Sequence, residues 1–232
     1  MWLYIVGAVV LVLALGTGVY LILDNNSGAS APIDTANGTQ SPDPQQSDRT
    51  DTDPVPTDTD LVTDPATGLS YEAMGAPWET SNFGEIPGGI GTPVGEMLVT
   101  EENWVAVFLV GEMNPDLLDY HGVGDLETSL TGLADVVDEV NYAPDGKQLD
   151  GFQREGSPDF IDLKISGYTG KIMVYHLVWD DDRLDDQGEY VGLGLIDLGD
   201  GRLAGIQLSL PESAYEIYGD TMEDKVAGMV VR

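Results

Sequence analysis

Trp2 to Leu23 is an uninterrupted apolar run of 22 residues with no charged side chain. As a helix rising about 1.5 Å per residue it is roughly 33 Å long, which matches a hydrocarbon core of about 30 Å. Trp2 and Tyr4 near one end and Tyr20 near the other fall where aromatic rings favour the membrane–water interface. The competing reading is a cleaved signal peptide with its small-residue site near Ala14 and Gly16. That reading needs a basic n-region, which is missing, and the apolar run continues through Leu23 past any such site. Residues 1–23 are therefore read as an uncleaved transmembrane anchor. The first basic residue is Arg49, so charge counting does not orient the span. An N-terminal anchor followed by a tether is expected to hold its domain outside the cytoplasm, as a single-pass protein of the plasma membrane.

The tether is residues 24–67. It holds nine Asp, six Pro and eight Thr, no aromatic residue, and four large aliphatic residues (Ile33, Val55, Leu61, Val62). So little apolar surface does not offset the ordering entropy, and an acidic, disordered, Pro-stiffened segment is expected. Alternating Asp between Asp51 and Asp60 superficially suggests a calcium loop, but the turn glycine and the distal Glu are missing.

Two further counts exclude function classes. The chain has no cysteine, so disulfides, thiolate nucleophiles and cysteine-ligated metals are ruled out. Its 41 acidic and 9 basic residues give a net charge of -32, which repels nucleic acid and favours a cationic partner.

From Gly68 the pattern becomes globular, and residues 68–232 read as one α+β domain. Trp104 to Val110 is apolar on both faces, as in a strand covered on both sides. Leu126, Leu130, Leu133, Val137 and Val140 recur at helical spacing behind Asp125, a candidate N-cap. Lys171 to Trp179 alternates, with Met173, Tyr175, Leu177 and Trp179 on one face. Tyr190–Leu198 and Leu203–Leu210 flank Gly199-Asp200-Gly201, a hairpin signal. A last helix is expected behind Asp220, with Met222, Val226, Met229 and Val230 on one stripe. Hairpins and two amphipathic helices predict a mainly antiparallel sheet packed with helices.

No catalytic, cofactor or metal motif emerges. Gly84 to Gly95 is glycine-rich but lacks a Gly-Lys-Ser/Thr ending, so it reads as an irregular loop. His176 alternates with Ile172, Val174 and Val178 and is expected on a sheet face beneath a helix, while His121 sits in a turn. Asp180 to Glu189 is a dense acidic loop with no EF-hand spacing. Period-two alternation places Gly192, Gly194 and Gly205 on one face with Gln207 and Ser209, where a helix or a ligand would approach closely.

Asp64-Pro65-Ala66-Thr67-Gly68-Leu69-Ser70-Tyr71, Ala76-Pro77-Trp78, Asn103-Trp104-Val105-Ala106 and Leu208-Ser209-Leu210-Pro211 together resemble actinobacterial membrane-anchored exported proteins of unknown function. The succession of strand, helix, three strands and helix over residues 64–232 also looks like the PsbP/LpqN-like α/β/α sandwich. The resemblance implies a binding or assembly factor of the cell envelope rather than an enzyme, and carries over no catalytic residue. The expectation is a non-enzymatic membrane-tethered binding module, with no cofactor. Its partners would be the membrane through the first helix and a cell-envelope protein or cationic partner. A cell-envelope hydrolase built on a histidine, or a calcium-dependent sensing or adhesion domain using Asp180–Glu189, is the alternative.

The tether holds nine of the 41 acids and one of the nine basic residues, leaving 32 against 8 in residues 68–232. Self-repulsion at that density is relieved as the Debye length shortens to about 10 Å near 0.1 M salt. The melting temperature of the domain should therefore rise with monovalent salt to a plateau, measured by circular dichroism. A flat profile between low and physiological salt would show that the charges are already well dispersed.

Overall fold

Tight turns between long alternating stretches fold this chain into hairpins. The computed structural model describes residues 61–83, 90–102, 104–113, 118, 120–143, 146–199 and 201–232; the expected anchor lies outside them, as does the tether up to residue 60. The strands are β1 (Leu61–Thr63), β2 (Leu69–Glu72), β3 (Glu79–Asn82), β4 (Val94–Glu101), β5 (Trp104–Met113), β6 (Gln153–Ile165), β7 (Tyr168–Val178), β8 (Gly188–Gly199), β9 (Arg202–Pro211) and β10 (Val230–Val231). The helices are α1 (Leu126–Asn141) and α2 (Glu212–Ala227). Between β6 and β7, Ser166 and Gly167 both have positive φ (52° and 90°), the conformation a two-residue hairpin turn requires.

Seven strands form one antiparallel sheet in the order β3-β4-β5-β9-β8-β7-β6, and β1-β2-β10 form a second. The class is α+β, as expected. One face of the large sheet is covered by α1, which lies over β7 and β8 and buries Leu126, Leu130, Leu133 and Val137 against Met173, Leu177, Leu193 and Leu195. The other face is covered in two pieces. The small sheet lies over β4 and β5, and α2 lies over β8 and β9. Its core includes Tyr71, Phe108, Ile196, Ile206, Leu210, Met222 and Val226. A buried polar joint ties α1 down: Asp138 accepts from Tyr175 Oη at 2.9 Å and from Arg154 Nε at 2.6 Å, so its charge is paired where burial would otherwise be costly.

Four expectations need correction. The folded domain starts no later than Leu61, inside the segment assigned to the tether. Leu61, Val62 and Thr63 pair with β2, and Val62 is buried. Asp64 closes the following turn by accepting from Thr67 N (2.9 Å) and Thr67 Oγ1 (2.5 Å), so a local capping geometry makes an Asp-Pro-Ala-Thr string part of the fold. Asp125 occupies the N-cap position of α1 without a side-chain cap; its Oδ2 accepts from His121 N instead, at 3.1 Å.

The last helix begins at Glu212, directly after Pro211, and not behind Asp220. Its first turn is satisfied from afar. Asp186 accepts from Ser213 N at 3.2 Å and from Ser213 Oγ at 2.7 Å, a partner 27 positions earlier that no local pattern reveals. Met229 and Val230 lie beyond this helix, Val230 opening β10.

The fourth correction concerns the glycines. The hairpin register has a bulge between Asp197 and Gly199, which places Gly194 opposite Ile206, Gly192 opposite Leu208, and Gly205 opposite Leu195. Gly192 and Gly194 therefore face α2, whereas Gly205, Gln207 and Ser209 face α1. The space over each glycine is filled by a cross-strand side chain, with Ile206 packed over Gly194 and Met113 over Gly205.

A Cβ at Gly194 would lie 3.1 Å from Ile206 Cβ. Gly194→Leu should accordingly lower stability by about 1–3 kcal/mol or more through overpacking. Denaturant midpoints check this, and the same change in an Ile206→Ala background should cost less. Additive costs would place the strain elsewhere.

Candidate functional site

The layer facing α2 is incomplete, and the gap is a groove on this face. On it β6 contributes Ile161, Leu163 and Ile165, in register with β7 through Ile161 opposite Ile172. Ile172 and Val174 of β7 stand opposite Gly194 and Gly192 of β8. Side chain-free positions on β8 keep this floor low. Leu208 and Ile172 reach over Gly192, with contacts of 3.0 and 3.4 Å to an added Cβ, so the floor is apolar. The second wall is α2, through Tyr215, Gly219, Met222 and Val226. The groove between them encloses about 460 Å³, and Ile161 on its outer lip is 52% exposed. Such a volume lies in the range of ligand-binding clefts.

At one end the groove meets a second hollow of about 510 Å³, lined by Tyr190, Glu212, Tyr215, Glu216, Ile217, Gly219 and Asp220. The two share Tyr190, Tyr215 and Gly219. An aromatic column forms the partition: His176 stacks on Tyr190 at 4.3 Å between centroids, and Tyr190 stacks on Tyr215 at 4.0 Å. The Tyr215 ring lies across Gly219, where an added Cβ would be 3.0 Å away. Burial pushes the Tyr215 phenol up, helped by the nearby charge of Glu223, so it stays a neutral hydroxyl.

His176 is thus where the alternation puts it, on a sheet face near a helix. Its Nδ1 lies 2.9 Å from Glu155 and its Nε2 3.1 Å from Glu212, the latter without hydrogen-bond alignment. The stack on Tyr190, the Nδ1–Glu155 contact and the nearby Glu212 orient the imidazole and join β6, β7 and α2. His121 is far more exposed and lies 3.7 Å from Asp125.

The acidic loop is used internally. Asp181, buried, accepts from Asp150 N, Arg183 N and the Arg183 guanidinium, and Arg183 holds its carboxyl well below the usual range. Asp186 caps α2, and Glu101 accepts from the backbone of Asp185 and Asp186. Among the described residues no group of three or more His, Asp or Glu is placed to hold a metal ion. The loop 84–89 lies outside the described residues. Gly95, at the end of the glycine-rich stretch, is a strand residue whose missing side chain lets β4 approach the Phe108 carbonyl.

No protein-family model and no curated protein matches the chain. Among solved structures it is similar to cyanobacterial PsbP (CyanoP) from Synechocystis sp. PCC 6803, with 15% identity, 74% of this chain and 91% of that one covered, and a TM-score of 0.48. It is also similar to a protein of unknown function from Pseudomonas aeruginosa, with 14% identity, 74% and 96% covered, and a TM-score of 0.35. The α+β class rests on the strands and helices themselves, because likenesses this slight carry no argument.

Glu189, read as the end of the acidic loop, is instead a residue of β8. It stands in phase with Val191, Leu193 and Leu195 on the α1 face, a charge at a core position of an apolar alternation. It is 1% exposed; Trp104 donates its indole N–H to Oε2 at 3.0 Å, and Oε1 is buried without a partner. Burial pushes its carboxyl up to about 8, against the pull of the Trp104 donor. In the folded state it keeps a proton that the unfolded chain releases above about pH 4.5. Its contribution is therefore fully present below pH 4.5 and is lost as pH rises through 8. Relative to the wild type, Glu189→Gln should gain roughly 3–5 kcal/mol in stability between pH 4.5 and 8.5. Urea titrations of both proteins across that range check it, and a pH-independent difference would place an ionised carboxylate in the core.

Proposed function

We propose that the chain is a non-enzymatic, membrane-tethered binding module. Residues 1–23 anchor it, the acidic tether spaces it from the bilayer, and the α+β domain receives its ligand outside the cytoplasm. The observation that carries this reading is the apolar groove of about 460 Å³ between α2 and β6, floored by Val174, Gly192 and Leu208. The terminal strand pair β6–β7 is only partly covered on this side, and Ile161 stands exposed at the lip. Apolar surface of this kind, rimmed by charge, is the usual sign of a recognition site. The layering, with α1 on one face and α2 on the other, is also what a PsbP/LpqN-like sandwich requires, and on that reading the domain is a binding or assembly factor. The -32 net charge keeps such a module off anionic surfaces and turns it towards cationic ones.

Two measurements test the proposal. The full chain should sediment with membranes and resist carbonate extraction; recovery of a soluble mature chain starting near Thr17 would identify a signal peptide instead. A fragment spanning residues 61–232 should bind the neutral apolar dye Nile red at a single site. Ile161→Asp should weaken that binding at least fivefold with an unchanged circular dichroism spectrum. Equal dye binding by the variant would remove the groove as the site.

A further inference from the structure

On the α2 face, the small sheet covers β4 and β5 and α2 covers β8 and β9, while among the described residues β6 and β7 are covered less: Ile165 and Ile172 are buried, but Ile161 is exposed. Strands lie about 4.8 Å apart, so two strands measure about 9.6 Å across, and helices pack about 8–10 Å from one another. The groove left between α2 and the exposed Ile161 of β6 is therefore no wider than one helix. Its wall on α2 runs from Tyr215 to Val226, about 16 Å or three turns. The charge at its end is one-sided. Glu212, Glu216 and Asp220 line the adjoining hollow and Glu223 the groove, whereas Lys164 is the only basic residue among those lining either. Lys164 is itself turned to Thr169, at 2.6 Å. Lys171 is held by Glu127 and Asp162.

We propose that a basic amphipathic helix of a partner protein docks beside α2 over β6 and β7. Its apolar stripe lies on Ile161, Val174 and Leu208, and its basic residues lie against Glu216 and Asp220. This rests on the groove being the binding site. Charge rules out the occupants the chain itself offers. A second copy brings another -32, and the apolar run 2–23 contains no basic residue and is followed by acid. An acidic segment such as Asp51 to Asp60 meets the same repulsion. A helix is favoured over an extended strand because the strip lies on the face of the sheet, where side chains rather than backbone groups are offered.

The test uses the full chain in phosphatidylcholine nanodiscs, with empty discs as blank, and fluorescence anisotropy of labelled 14-residue peptides at physiological salt. The probes are a Leu/Lys amphipathic peptide, its Leu/Glu counterpart, and a Ser/Lys peptide of equal charge without an apolar stripe. The Leu/Lys peptide should bind at least tenfold more tightly than either control. E216K/D220K should weaken it at least tenfold, while E102K/E139K, the same charge change at exposed positions away from the groove, should alter it less than threefold. Ile161→Asp should weaken it as well. Equal effects of the two double variants, with Ile161→Asp still weakening binding, would leave the groove as the site and overturn the basic helix as its occupant. Binding untouched by Ile161→Asp would overturn the groove and the helix together.

Discussion

The pairing of β8 with β9 holds this domain together, because both strands are buried on both faces and neither face can be sacrificed. Leu193 and Leu195 fill the side under α1, and Ile206 and Leu210 fill the side under α2. In a sheet buried twice, large side chains on adjacent strands compete for the same space on each face. Here each glycine is set opposite a large aliphatic residue, Gly194 with Ile206 and Gly205 with Leu195. The register is therefore fixed by volume as well as by hydrogen bonds. A slip of one residue would bring Gln207 and Ser209 to the α2 side and leave voids over the glycines.

This also explains which parts of the fold were legible in the sequence. Strands with strong alternation or continuous apolar runs, such as β5, β7 and the β8–β9 hairpin, announce themselves through their own residues. So does α1, whose stripe repeats at three and four. The start of α2 does not, since its cap comes from Asp186 on another loop. The face of the glycines does not either, since one bulge at Asp197 to Gly199 inverts the phase of β9 against β8. The strand β6 was passed over although its Ile161, Leu163 and Ile165 alternate with Asp162 and Lys164. Its half-exposed, charged character makes it look like a loop until β7 is laid beside it. The aromatic column of His176, Tyr190 and Tyr215 joins three elements and has no local signature.

The acidity of the chain has a second consequence once the pairs are known. Arg154 is spent on Asp138 and Asp135, Arg183 on Asp181, Lys171 on Glu127 and Asp162, and Lys225 on Glu72. Apart from Arg183, which pairs within its own loop, these cations act as staples between elements. The more exposed of these pairs add little stability one by one, but all of them neutralise the basic charge in place. The remaining surface is thus more one-signed than the composition alone implies, and its field extends over any partner approaching α2. Inside, the opposite economy holds: Glu189 avoids an unpaired buried charge by keeping its proton, while Asp138 keeps its charge and takes Arg154.

The proposed recognition through the sheet face rather than its edge accords with the character of β6 itself. It is the terminal strand, and a long terminal strand invites another chain to pair with it. The ladder with β7 is broken by a register shift between Glu155 and Asp159, a stretch containing Gly156, Ser157 and Pro158. Proline offers no N–H there, and the bulge breaks the flat run that strand addition needs. Asp159 and Asp162 add repulsion against acidic copies of the same chain. With the edge blunted in this way, the exposed apolar side chain of β6, Ile161, remains available only from above. An incoming element must then match it by shape and charge, which is a narrower requirement than matching a row of backbone groups.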